Sequence, residues 1–340
     1  MQRFLRFMGI VVVGLATNHS FAQVGGQRIF EFLEISPTAQ ITALGRQQVA
    51  LGDDSTRVQE VTQFLFNPAL NQPELHQQIS IHYTPYYADI SQVSLGYSYH
   101  RKAVGTFGVA LQYLNYGSLE GFDAAGLPIG NFSAQDFAVV INYIHEMRPF
   151  RLGGNLKWVN SQISGYTATG LLADISGVFR HPTQDLTIAL VFSNFGILLQ
   201  DELSPSIREL PTDVKIGVSV KPQFMPFRFH LTTYRLIRGY GYWEQDGNEL
   251  GVGGQILRHL SFGSELLLSP NFQVRIGYNH LTRSALQLQQ TAGGAGLTYG
   301  LMFRTSTFRV DFSRAVLHAT GAYNQFSLSL DLNQLFFRNP

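Results

Sequence analysis

Residues 260–279 carry two runs of period two. Leu260, Phe262, Leu266 and Leu268 share one face of an extended chain, and Ser261, Gly263 and Glu265 share the other. After Ser269-Pro270-Asn271, which is turn chemistry, Phe272, Val274, Ile276 and Tyr278 oppose Gln273, Arg275, Gly277 and Asn279. Successive strand side chains point to opposite faces, so each run predicts a strand with one greasy side and one polar or small side. A soluble sandwich buries the greasy side against a second sheet. A membrane barrel turns it to lipid and keeps small and polar residues inside. One hairpin fits both.

The rest of the chain favours the barrel. Only 14% of the 340 residues are charged, against about 25% in an ordinary soluble domain, yet mean hydropathy is +0.02. No window offers the run of apolar residues that a spanning helix needs. Net charge is +1, which argues against a nucleic-acid partner. The chain lacks Cys, which excludes disulfides, thiolate catalysis and Cys-ligated zinc.

Residues 1–22 read as a secretory signal. Arg3 and Arg6 precede an apolar core at 7–16, and Ser20-Phe21-Ala22 places small residues before a cleavage at Gln23. Residues 23–76 differ in pattern from the remainder of the chain. A short helix or loop ends at Gly45, a brief strand is expected at 47–51, and a turn with a helical start at 66–70. We expect this segment to plug one mouth of the barrel. The alternative is an extension packed outside it. Residues 77–340 hold 14 candidate strands, many alternating cleanly, as at Val93, Leu95, Tyr97 and Tyr99.

The links sort by length. Those at 101–105, 145–150, 180–185, 222–226, 269–271 and 304–306 are short. They alternate with longer ones at 118–131, 161–167, 196–211, 235–256, 280–296 and 314–324. Short turns at one end and long loops at the other mark an outer-membrane barrel with its turns in the periplasm. The expected fold is therefore all-β: a transmembrane antiparallel barrel of about 14 strands, with both termini periplasmic. Aromatics near strand ends (Tyr83, Tyr113, Tyr116, Tyr143, Trp158, Phe179, Phe192, Tyr278 and Phe312) fit interfacial girdles, or simply the β-propensity of such rings.

Motifs for chemistry are scarce. The ten His residues are scattered without a His-Glu-x-x-His pair, Gly293-Gly-Ala-Gly296 lacks a phosphate-loop Lys, and there is no Gly-x-Ser-x-Gly elbow. We expect no catalytic residues, metal or cofactor. Parity points Lys157, Asp174, Lys215, Arg228, Glu265, Arg275, Arg309 and Asp311 into the lumen. They suit a polar network that fills a narrow barrel, or a ligand path. The loop at 238–246 clusters Arg238, Tyr240, Tyr242 and Trp243, residue types that dominate binding hot spots. It suits a partner surface, or a loop folded over the barrel mouth.

Several stretches resemble one family. Residues 22–33 (AQVGGQRIFEFL), Ala43-Leu-Gly45, Phe66-Asn-Pro-Ala-Leu70, Tyr113-Leu-Asn-Tyr-Gly117, residues 123–126 with 130–136, and 258–265 with 277–279 are similar, in order and spacing, to the PorQ family of the type IX secretion system. The likeness spans the chain. One departure is Gln47-Gln48, where that pattern has smaller residues. The resemblance implies a FadL- and PorV-like outer-membrane barrel without enzymatic activity. Its partners would be outer-membrane lipid and a PorZ-like surface protein held within an attachment complex with PorU and PorV. The residues themselves leave a second function open, a FadL-type transporter of hydrophobic small molecules.

Overall fold

A computed structural model describes residues 28–52, 58–123, 126–202, 209–237, 252–286, 293–318 and 321–336. The signal segment and the cluster Arg238, Tyr240, Tyr242 and Trp243 lie outside these residues.

Fourteen antiparallel strands close into a barrel, each paired with its sequence neighbours and the first with the last. They are β1 (Gln78–Pro85), β2 (Ser91–Arg101), β3 (Gly105–Phe122), β4 (Pro128–Met147), β5 (Phe150–Ile163), β6 (Tyr166–Arg180) and β7 (Asp185–Asp201). The circuit continues through β8 (Asp213–Lys221), β9 (Phe227–Thr233), β10 (Leu260–Ser269), β11 (Phe272–Asn279), β12 (Leu297–Arg304), β13 (Phe308–His318) and β14 (Gly321–Asp331). Helices are short: α1 (Ala39–Ala43), α2 (Val252–Arg258), α3 (His280–Leu286) and α4 (Leu332–Phe336). Closure leaves the wall without free edges, the condition for strands in lipid.

The alternation seen in the sequence sets the two faces. Leu95, Val109, Ile141, Leu156, Ile175, Leu190, Ile276, Leu301 and Leu328 are exposed on the outside. Their neighbours Ser94, Ala110, Val140, Asn155, Asp174, Val191, Arg275, Met302 and Ser327 are buried inside. Such a continuous apolar exterior is a surface built for lipid rather than water.

Three links expected to be long are not. Strands β3 and β4 run on to leave only 123–127, β5 and β6 leave 164–165, and β13 and β14 reach His318 and Gly321. Apolar alternation stops before these strand ends, which is why the pattern alone places them too early. The strands continue because the hairpins carry on past the apolar band, where an outward side chain meets water and need not be greasy: Ser118, Glu120 and Asn131 are all exposed or half-buried. Strand β4 has 20 residues against 8 in β11, so the β3–β7 wall stands above the rest. Long links remain at 202–212, 234–259 and 280–296, all at the same rim.

Two bulges break the parity rule. Gly117 (φ 76°) sits where the β3–β4 register slips between Asn115 and Ser118. Up to that slip the even positions face inward, Ala110, Gln112 and Leu114 among them, and after it the buried position is Gly121. Tyr116 keeps the inward parity and donates to Asp136 at 2.6 Å, so it belongs to the lumen and not to an outer girdle. Asn194 (φ 58°) sits at a like slip in β7, and both it and Ser193 are buried. Tyr83, Tyr143, Trp158 and Phe192 face outward.

Candidate functional site: the filled lumen

Residues 28–52 and 58–75 contact inward-facing side chains all round the barrel, which is possible only from within it. The segment starts at the long-loop rim, where the Ile29 amide donates to the Glu209 carbonyl. Thr38 caps α1 by accepting from the Ile41 amide. The helix then lies on β12–β14: the Ala39 amide donates to Ser327, Thr42 donates to Gln325, and Thr298 donates to the Ala43 carbonyl. The stretch 47–51 has no ladder partner, so the brief strand expected there is absent. The Val49 amide donates instead to the Thr232 hydroxyl, and the Gln48 side chain donates to the Ser261 carbonyl and accepts from Thr232. Gln48 is fully buried, so the departure from smaller residues here supplies wall contacts. Further on, the Val61 amide donates to Ser80, Asn155 donates to the Phe64 carbonyl, the Ala69 amide donates to Ser176, and Asn71 bonds Asn142. The segment therefore obtains from the wall the backbone bonds that a strand would obtain from a neighbour.

Glycine makes room for it. A Cβ on Gly153 would fall 2.5 Å from the Ala69 nitrogen, and one on Gly263 would fall 2.9 Å from Leu44. A Cβ on Gly300 would fall 2.7 Å from Ala43, and Gly277 lies directly against Leu44 and Gly45. Gly45 itself, at φ 95°, turns the chain after α1 in a conformation that L side chains rarely adopt.

On one side the lumen is a charged network. Glu265 and Arg275 face each other across the β10–β11 register and bond at 2.8 Å. Arg275 also bonds Asp311, which pairs with Arg309 at 2.6 Å. Arg228 reaches Glu265 at 3.5 Å and Asp185 at 2.8 Å, and His230 lies 3.3 Å from Glu265. The internal segment joins in: Gln40 donates to Glu265 and accepts from Arg309 and Gln63. Asp174 stands apart, bonded to Lys157 at 2.7 Å, to Asn155 and to the Asn194 amide. Lys215 bonds Gln47 and sits 3.9 Å over the Phe66 ring. The structure thus brings Glu265, Arg275, Arg309 and Asp311 together and keeps Asp174 in a separate cluster.

Glu60 is the odd charge. Arg228, Arg275 and Arg309 already balance Asp185, Glu265 and Asp311. Glu60 is buried beside them, and neither carboxyl oxygen finds a hydrogen bond of ordinary geometry among the described residues. Burial first, then Asp311, push its pKa up from 4.5 to about 7, against the pull of Arg309 and Arg275. The folded state therefore holds this proton more tightly than the unfolded chain. Its contribution is fully present below pH 4.5 and is lost as pH rises through 7. We expect the unfolding midpoint in urea to fall between about pH 5 and pH 8, by an amount worth on the order of 1–3 kcal/mol. In Glu60→Gln this loss should disappear. An unchanged pH profile in that variant would assign the effect elsewhere.

The other side of the lumen is apolar, a feature that strict alternation does not predict. Ala138 and Val140 on β4, Leu114 on β3, Val159 on β5 and Leu172 on β6 point inward against Ile29, Phe30, Phe32 and Phe64. The signal is present in the sequence: Phe137-Ala-Val-Val-Ile141 is apolar on both faces instead of alternating.

The geometry places this chain among known barrels. It is similar to the toluene transporter TbuX of Ralstonia pickettii, at 11% identity and TM-score 0.51 over 89% of this chain and 98% of that one. It is similar to the toluene transporter TodX of Pseudomonas putida, at 10% identity and TM-score 0.53 over 87% and 97%. The fold is that of the toluene-transporter barrels. A FadL homologue of Pseudomonas aeruginosa also aligns, at 8% identity and TM-score 0.43 over 86% and 98%. No family model matches the chain, and no curated protein does.

Proposed function

We propose that this chain is an outer-membrane barrel of the FadL type that passes small hydrophobic molecules along the apolar side of its lumen. The carrying observation is the inward apolar strip on β3–β6, which has no place in a water-filled pore; Ile29, Phe30, Phe32 and Phe64 cover it, so a solute passes there as those side chains shift. The fold shared with TodX and TbuX, both toluene transporters, supports the same reading. Residues 28–75 act as the plug past which the solute moves. The even strand number puts both ends of the barrel wall at the short-turn rim, which is the periplasmic one in this reading.

The test is uptake of labelled toluene by cells expressing the protein in an outer membrane that otherwise bars it. Wild type should raise the rate above an empty vector. Val140→Asn, which sets a polar group in the apolar strip, should lower it at least several-fold while the barrel remains heat-modifiable in gels. Uptake equal to the empty vector would overturn the proposal.

A second reading rests on the PorQ resemblance: a non-enzymatic anchor that holds a PorZ-like surface protein of the type IX attachment complex. The internal segment favours it, because bonds to strands all round the wall make the barrel a rigid post. A stoichiometric soluble surface protein in a mild-detergent pull-down from the native outer membrane would select this reading over transport.

A further inference from the structure

The long-loop rim is electrically divided. Over β1–β8 its described charges are mainly acidic: Asp89, Glu120, Asp123, Asp201, Glu202 and Glu209. Over β10–β13 they are basic. Arg258 ends α2, Arg283 lies in α3, which packs against α2, and Arg314 lies on β13 opposite Tyr299 of β12. Among the described residues none of these three arginines meets a carboxylate. Among those residues Arg314 bonds the Asn324 amide oxygen alone, and the buried Arg258 Nε meets no hydrogen-bond partner. His280 sits in the same group, its ring nitrogen bonded to the Tyr278 hydroxyl at 2.9 Å.

The surroundings say what kind of partner such cations would meet. Tyr299 and Leu297 are exposed on the outer face of β12, and Ile256, Leu257 and Leu286 are exposed on the two helices. Outward tyrosines mark the headgroup level of a bilayer. A soluble acidic protein would have to cover these apolar side chains as well as the charges. A lipid meets both at once, its chains on the apolar groups and its phosphate on the arginines.

We propose that the rim over β10–β13 binds the phosphate groups of an anionic outer-leaflet lipid through Arg258, Arg283 and Arg314. The site rests on the outer-membrane reading, since that reading makes this rim the outward one. It is separate from the lumen and from any solute path. The bound lipid would fasten one sector of the barrel to its leaflet and leave the acidic sector free of such lipid.

The experiment uses the full chain in zwitterionic nanodiscs, titrated with a bis-phosphorylated glycolipid and with its dephosphorylated form. Wild type should bind the phosphorylated form more tightly, and high salt should weaken it. Each Arg→Gln change should cost roughly five-fold, the equivalent of about 1 kcal/mol per cation near a charged surface, and R258Q/R283Q/R314Q together about 100-fold. E120Q/D123N in the acidic sector of the same rim should change nothing. A second readout is local: the His280 pKa is held low by burial and then by Arg258 and Arg283, and a phosphate arriving there should raise it. Equal binding of both glycolipids, wild-type affinity in the triple variant, or inorganic phosphate binding as tightly as the lipid would each overturn the site. Failure to enter nanodiscs would instead overturn the membrane reading.

Discussion

Arg275→Met should destabilise the barrel by roughly 3–5 kcal/mol, the usual cost of leaving buried carboxylates without their cation. Arg275 is 1% exposed and touches Glu265, Asp311 and Gln273. Its removal strips one guanidinium from each of two buried carboxylates. Neither is left bare, since Arg228 and His230 still face Glu265 and Arg309 still holds Asp311. The loss should therefore fall toward the lower end of that range. Urea unfolding from lipid vesicles measures it. Arg275→Met with Glu265→Leu should cost less than the sum of the two single changes, because the double variant removes a charge together with its partner. Strict additivity would mean that the two side chains act independently despite their 2.8 Å contact.

Gly277→Val should have a different outcome: a barrel that closes but does not hold its internal segment. The wall pairs of β11 with β10 and β12 involve backbone that valine keeps, and valine favours strands. Inside, its Cβ would enter the space of Leu44 and Gly45, backbone atoms that cannot rotate away. Overpacking of this kind costs about 1–3 kcal/mol or more, and here the cost falls on docking rather than on the wall. Hydrogen exchange provides the measurement. The amides of Ala39 and Val61, protected in wild type by Ser327 and Ser80, should exchange at least roughly ten-fold faster, with the β11 amides unchanged. Gly165→Val, at a turn where a Cβ would meet nothing within 4 Å, separates close approach from loss of a glycine as such, although its positive φ brings local strain of its own. Equal protection of Ala39 in wild type and Gly277→Val would show that the segment does not need this seat.

Much of the wall is readable from particular residues. Phe272, Val274, Ile276 and Tyr278 against Gln273, Arg275 and Gly277 is a pattern with only one face for lipid, and the structure keeps that division on both strands of the hairpin. The inward direction of Glu265, Arg275, Arg309 and Asp311 comes from the same parity. Parity fails where the backbone itself departs from a regular strand. At Gly117 and Asn194 a bulge inserts a residue, and no local composition marks which way the next side chain turns. Strand ends fail for another reason. Outside the band a strand needs no greasy face, so Ser118 and Glu120 read as loop while their backbone stays in the ladder.

Period two, carried over fourteen runs, is enough to determine an all-β wall with an apolar exterior, because side-chain direction in a strand is a local property. Partnership inside the lumen is not local. That Gln40 reaches Glu265 and Arg309, that Gly277 receives Leu44 and Gly45, and that Glu60 lies beside a network already balanced in charge depend on residues hundreds of positions apart. Only closure of the barrel around residues 28–75 decides which of these groups meet, since each contact is set by the shape of the enclosed space and not by the spacing of residues along the chain.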